Sequence, residues 1–391
     1  MKRYIFDKSI DRKSTYSVRW NVKEGDLPLN IADMDFEVLP EIKAAVIKRS
    51  ELDCYGYIDT PMEYFDAYVH WWKERHDLDL KREWFLFSSS VVGSIDCVLK
   101  NLFSRGDKVS MFTPIYNVFY NCIRNNELVL EESELIYKNG SYYIDWDNLD
   151  KMFANKSIKA FIFCNPHNPV GRGFSLEEIN RLINLCKHHN VLLISDEIHC
   201  DIDYNQSKYT SVFHSELSNY GNIILLLSPT KIFNIAGLQT STVVIKNKAL
   251  REKVQNALYK DDIGEPNYFA VDPVIAALNH GQQYVYELNA YLKENYEYLH
   301  NFFDKFLQNL NIISLSYTYL AWIDISFYGI KSEEFVNSLK EKTGLILAPG
   351  RSYGKISDSF VRFNIATPRK NIVDACNRLL TFIKELEREK R

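Results

Sequence analysis

Short apolar runs alternate with helical patterns through the middle of this chain, and that alternation constrains its fold more than any other feature. Residues 109–112, 159–164, 191–194, Ile223–Leu227 and 242–245 read as strands. Several are apolar at nearly every position, as expected of a sheet covered on both faces. Residues 175–189 lie between two of them. There Ser175 and Glu178 form a capping box, and Ile179, Leu182, Ile183 and Cys186 make one apolar stripe. Strand, helix and strand at this spacing predict an α/β unit with a mostly parallel sheet.

Sheets of this kind bind ligands beyond the carboxyl ends of their strands. Three polar motifs fall there: 165–171 (NPHNPVG) after the run 159–164, 195–199 (SDEIH) at the end of 191–194, and 228–231 (SPTK) after Ile223–Leu227. A lysine directly after a buried strand is poorly placed to be a solvated charge. Lys231, Asp196 and Asn168 together match what pyridoxal phosphate requires: an amine for the aldehyde, a carboxylate that keeps the ring nitrogen protonated, and a polar group for the ring hydroxyl. Taken singly, Asp196 also suits a capped turn and Asn168 an ordinary Asn-Pro turn.

The phosphate calls for backbone N–H groups and hydroxyls at a helix N-terminus. Residues 88–93 (SSSVVG), opening a helix expected over 94–102, offer Ser90, Val91 and Val92, although a serine turn there also serves as a plain cap. Ser228 and Thr230 add hydroxyls beside Lys231. Tyr116, just past 109–112, is placed to stack on the cofactor ring, or simply to pack. Arg362, in the alternating strand pattern 360–365, can grip a substrate carboxylate with two hydrogen bonds, or lie solvated on its strand.

The ends of the chain read differently. Residues 1–46 are polar and irregular. From about 287 come a long helix, a strand at 321–327, a helix around 332–342 and a strand at 360–365. We expect a large cofactor-binding domain at 47–286 and a smaller α+β domain built from 1–46 and 287–391. The 391 residues suffice for two such cores. A net charge of −4 without a basic block argues against nucleic acid. Seven cysteines without CxxC spacing suit a reducing compartment, and no metal site is expected. An acid at Asp7 interrupts any signal-peptide pattern, and no apolar run approaches a membrane span, so the cytoplasm is the expected location.

From about residue 11 to 369 these motifs resemble the fold-type I pyridoxal phosphate enzymes of the class I/II aminotransferase superfamily. Within it the chain is similar to the cystathionine β-lyase (PatB/MalY-like C–S lyase) branch. The marks are 31–36 (IADMDF), 55–57 (YGY), 165–172 (NPHNPVGR), 196–199 (DEIH) and 231–241 (KIFNIAGLQTS). His199 stands where aminotransferases usually carry tyrosine, and Gln239 where they usually carry arginine. Thr230, Ile232 and Ser89-Ser90 depart mildly from the branch itself. The resemblance implies a seven-stranded, mostly parallel sheet and a homodimer in which Tyr57 reaches the partner's cofactor phosphate. It also places His199 at the cofactor and Asp33, Met34 and Tyr55 near the substrate. The implied activity is β-elimination from cystathionine or a related cysteine S-conjugate, giving thiol, pyruvate and ammonia. The same residues serve an aminotransferase of small or aromatic amino acids, and a regulator that binds the cofactor without catalysis is the third reading.

Overall fold

A computed structural model describes residues 4–154, 158–204 and 209–389. Its centre is a seven-stranded sheet in the order Phe85–Ser88, Ser241–Val244, Ile223–Leu227, Leu192–Asp196, Ile158–Cys164, Lys108–Thr113, Val129–Glu134. Ser241–Val244 runs antiparallel to both neighbours, and the remaining strands are parallel to one another. The central strands bury both faces. Phe161, Phe163, Leu193, Leu225 and Leu227 pack into one core, and their neighbours Ala160, Ile162, Ile194, Ile224 and Leu226 into the other. This two-residue alternation explains why the runs are apolar throughout.

The helix Leu176–His189 begins at the expected capping box, with Ser175 accepting from the Glu178 N–H and Glu178 accepting from the Ser175 N–H. Other expectations need correction. The helix after the serine turn spans Val91–Leu102, three residues earlier than expected, because the Ser90 side chain accepts from the Gly93 N–H and caps it there. A Cβ on Gly93 would lie 2.8 Å from Ser90 Oγ, so a larger residue there would make the capping hydroxyl shift. The strands Phe85–Ser88 and Val129–Glu134 are additional. The reading of 1–46 as irregular misses the start of the helix Pro40–Ser50, which opens on proline at its first turn, where a missing N–H costs nothing. The long helix of the second half starts at Gln282.

A four-stranded antiparallel sheet, ordered Asn311–Ile312, Leu320–Asp324, Phe360–Asn364, Ala348–Pro349, packs with the helices Ser332–Thr343 and Arg369–Glu389. The start of the chain joins this part, where Leu27–Pro28 pairs in parallel with Leu345–Ile346. Among the described residues, no helix is long and apolar enough to cross a membrane.

Candidate active site

The three polar motifs converge at the carboxyl edge of the large sheet, on a cavity lined by Lys231, Asp196, His199, Asn168, Tyr116 and the Ser90–Val92 turn. Lys231 follows Ile223–Leu227, and its Nζ donates to the Ala32 carbonyl at 2.7 Å. Burial, and then the Arg362 charge, lower its pKa to about 8. Asp196 ends its strand fully buried. Its Oδ1 accepts from the Ile198 N–H at 3.1 Å, and burial raises its pKa to about 6 against the opposing pull of Lys231. His199 is held neutral, its pKa lowered to about 3 by burial and then by Lys231 and Arg362. Its ring meets Tyr319 edge-on at 5.9 Å.

Arg362 lies on Phe360–Asn364 yet is buried. Its Nη1 donates to Asn168 Oδ1 at 3.1 Å and its Nη2 to the Asn30 carbonyl at 2.9 Å, and its guanidinium covers the Tyr353 ring at 4.7 Å. At the other end of the cavity, Ser228 Oγ lies 2.8 Å from Thr230 Oγ1 and donates to the Thr240 carbonyl. Ser90, Val91 and Val92 present a helix N-terminus there, and Gln239 lines the same wall in a left-handed conformation.

The cavity fits pyridoxal phosphate on its own chemistry. His199 Nδ1 and Arg362 Nε are buried with no hydrogen-bond partner among the described residues. Asp196 is a buried carboxylate that a protonated ring nitrogen would complement. The helix N-terminus with two serine and threonine hydroxyls suits a phosphate.

Two expected residues lie away from the cavity, and a third, Asp33, does not line it although its charge acts on Lys231. Tyr57 is fully exposed, and Tyr55 is largely exposed, donating to the Ser50 carbonyl and packing on Tyr268 and Phe269. Asp33 engages Arg12 and Arg19 at 2.6 and 3.2 Å. Sequence reasoning missed Tyr353, which carries no motif, and the Ala32 carbonyl, a backbone group that no side-chain pattern reveals. Among the described residues, His76, Cys200 and Asp201 cluster as metal-ligating types. Arg75, Trp71 and His76 already occupy the Asp201 oxygens, and the adjoining guanidinium opposes a cation.

A family model described as aminotransferase class I and II matches residues 24–379. Cystathionine beta-lyase PatB of Bacillus subtilis (strain 168) is 32% identical over 382 residues, covering 96% of this chain and 98% of that protein. Protein MalY of Escherichia coli (strain K12) is 28% identical, covering 94% and 96%. Among solved structures, the PLP-bound C–S lyase from Staphylococcus hominis superposes with a TM-score of 0.90 at 32% identity, over 97% of this chain and 98% of that one.

Proposed function

Because this chain belongs to the class I and II aminotransferase family, we propose that it is a pyridoxal phosphate-dependent carbon–sulfur β-lyase. It cleaves cystathionine or a related L-cysteine S-conjugate to thiol, pyruvate and ammonia. The observation that carries this reading is the half-buried Lys231 with the buried Asp196, His199 and Arg362, in a chain whose full-length relatives include a cystathionine beta-lyase.

Bound in the cavity, pyridoxal phosphate supplies an electron sink that acidifies the Cα–H of an amino acid and lets a sulfur on Cβ depart. The chain supplies the rest. Asp196 would hold the ring nitrogen, and Asn168 and His199 the ring hydroxyl. Tyr116 would pack on the ring, and Ser90, Val91, Val92, Ser228 and Thr230 would hold the phosphate. Arg362 offers Nε, and the N–H groups left on Nη1 and Nη2, to the substrate carboxylate. Lys231 would hold the aldehyde, and its amine, whose pKa burial lowers to about 8 in the chain alone, would take the Cα proton.

The exposed rings of Tyr55 and Tyr57, with Leu52 and Met62 nearby in the chain, support a homodimer in which Tyr57 completes the partner's phosphate site and Tyr55 and Asp33 approach the substrate. The two separate sheets support the division at 47–286 against 1–46 with 287–391. Two helices, Pro40–Ser50 and Gln282–Phe306, run across those limits as connecting rods. Seven unpaired cysteines suit a cytoplasmic location.

The test is incubation of the purified protein with L-cystathionine and no keto acid. Catalytic, equal release of thiol and pyruvate is expected. Neither product, with the cofactor converted once to its amine form, would make the chain an aminotransferase instead.

A further inference from the structure

The segment 30–36, containing the IADMDF motif, donates no side chain to the cavity wall beyond Ala32. Its backbone carbonyls instead tie together the two sides of the site. The Asn30 carbonyl accepts from Arg362 at 2.9 Å, and the Ala32 carbonyl accepts from Lys231 at 2.7 Å. Two buried or half-buried asparagines hold the segment in place. Asn234, three residues after Lys231, accepts from the Met34 N–H and donates to the Met34 and Phe36 carbonyls at 3.0, 3.0 and 3.1 Å. Asn364, two residues after Arg362, donates to the Ile31 and Asp33 carbonyls at 2.6 and 2.7 Å.

Asn234 has φ +56°, a left-handed turn that asparagine tolerates better than most residues and that aims its amide back at the segment. Asn234, from the turn that carries Lys231, and Asn364, from the strand that carries Arg362, therefore grip one strip of backbone, and the Lys231 bond to Ala32 is given up when the amine takes the aldehyde. We propose that residues 30–36 are a brace that sets the spacing between Lys231 and Arg362, with Asn234 and Asn364 as its positioning residues. This rests on the lyase reading for what the spacing serves. Lys231 must reach Cα while Arg362 holds the carboxylate bonded to the same carbon, so a shift of either by about 1 Å costs rate or affinity.

The holoenzyme acting on L-cystathionine provides the test. Asn234→Gly keeps the left-handed turn and removes three hydrogen bonds on the lysine side. Asn364→Ser removes both bonds to the segment on the arginine side, together with the one Asn364 accepts from the Ala366 N–H. Asn234→Gly should lower kcat about tenfold with KM within about twofold, and Asn364→Ser should raise KM about tenfold. In both, amide hydrogen exchange over 30–36 should accelerate about tenfold relative to Ile223–Leu227. A purely structural role would lower thermal stability without dividing kcat from KM between the two variants. One shared kinetic pattern, or exchange over 30–36 at the wild-type rate, overturns the proposal. If Asn364→Ser does not fold, local exchange and kcat of Asn234→Gly decide. If the wild-type protein releases neither thiol nor pyruvate, the lyase reading fails, and the exchange comparison still judges the brace.

Discussion

Replacing Arg362 with alanine tests the substrate side of the site most directly. Its guanidinium has five N–H groups. One goes to Asn168 and one to Asn30, and the buried Nε has no partner among the described residues. The Nε edge with a remaining Nη hydrogen matches the two oxygens of a carboxylate. Each hydrogen bond to a charged group contributes about 1.5–3 kcal/mol, so the pair is worth about 3–6 kcal/mol. The variant should therefore lose about 10²–10⁴-fold in kcat/KM for L-cystathionine. Some loss would follow merely from stripping donors from Asn168 and Asn30, so a second substrate is needed. The α-carboxamide of the same amino acid should be a poor substrate for the wild type and no worse than the acid for Arg362→Ala, as a double-mutant cycle requires. A fall below about fivefold, or equal discrimination against the carboxamide by both proteins, would refute the assignment of Arg362 to the carboxylate.

Lys231 in cofactor-free protein should lose its proton near pH 8, because burial and Arg362 both disfavour the ammonium; pH-dependent acylation read by peptide mass spectrometry tests this, and a midpoint above about 10 would contradict it. The same midpoint should move upward in Arg362→Ala. Asp196→Asn keeps the shape and removes the charge, so cofactor affinity should fall at least about a hundredfold, given about 3–5 kcal/mol for breaking a buried pair; fluorescence titration showing unchanged affinity would exclude the ring-nitrogen pairing. Sedimentation should give twice the chain mass, and Tyr57→Phe should weaken cofactor retention about 10- to 100-fold through one lost hydrogen bond to a charged phosphate. A monomer that retains the cofactor fully would exclude the shared site.

The large sheet is legible in the sequence because its central strands are buried on both faces and are therefore apolar without interruption. Val129–Glu134 escapes such a reading because on this edge strand only Ser133 is buried, and three glutamates fall within 129–134. Lys231, Asp196 and Asn168 stand out because each follows a readable strand. Arg362 is ambiguous locally, since its strand pattern alone does not distinguish a solvated guanidinium from one buried beneath Tyr353. The helix at Val91 starts early for a reason invisible to propensity. Two valines and a glycine are poor helix formers, and the Ser90 cap overrides them. The brace at 30–36 acts through carbonyl oxygens, which every residue possesses.

One reversed strand has a consequence for how the site is supplied. A parallel successor to Ile223–Leu227 would oblige the chain to cross a face of the sheet and return from the far edge, leaving only a short turn near the ligand. Because Ser241–Val244 runs the other way, the chain turns back on the same edge, and everything from Ser228 to Thr240 stays there. That single link carries Lys231, the hydroxyls of Ser228 and Thr230, the clamp Asn234 and the wall residue Gln239. A local inversion of strand direction thus concentrates on one continuous stretch the chemistry that an all-parallel sheet would have to gather from several separate turns.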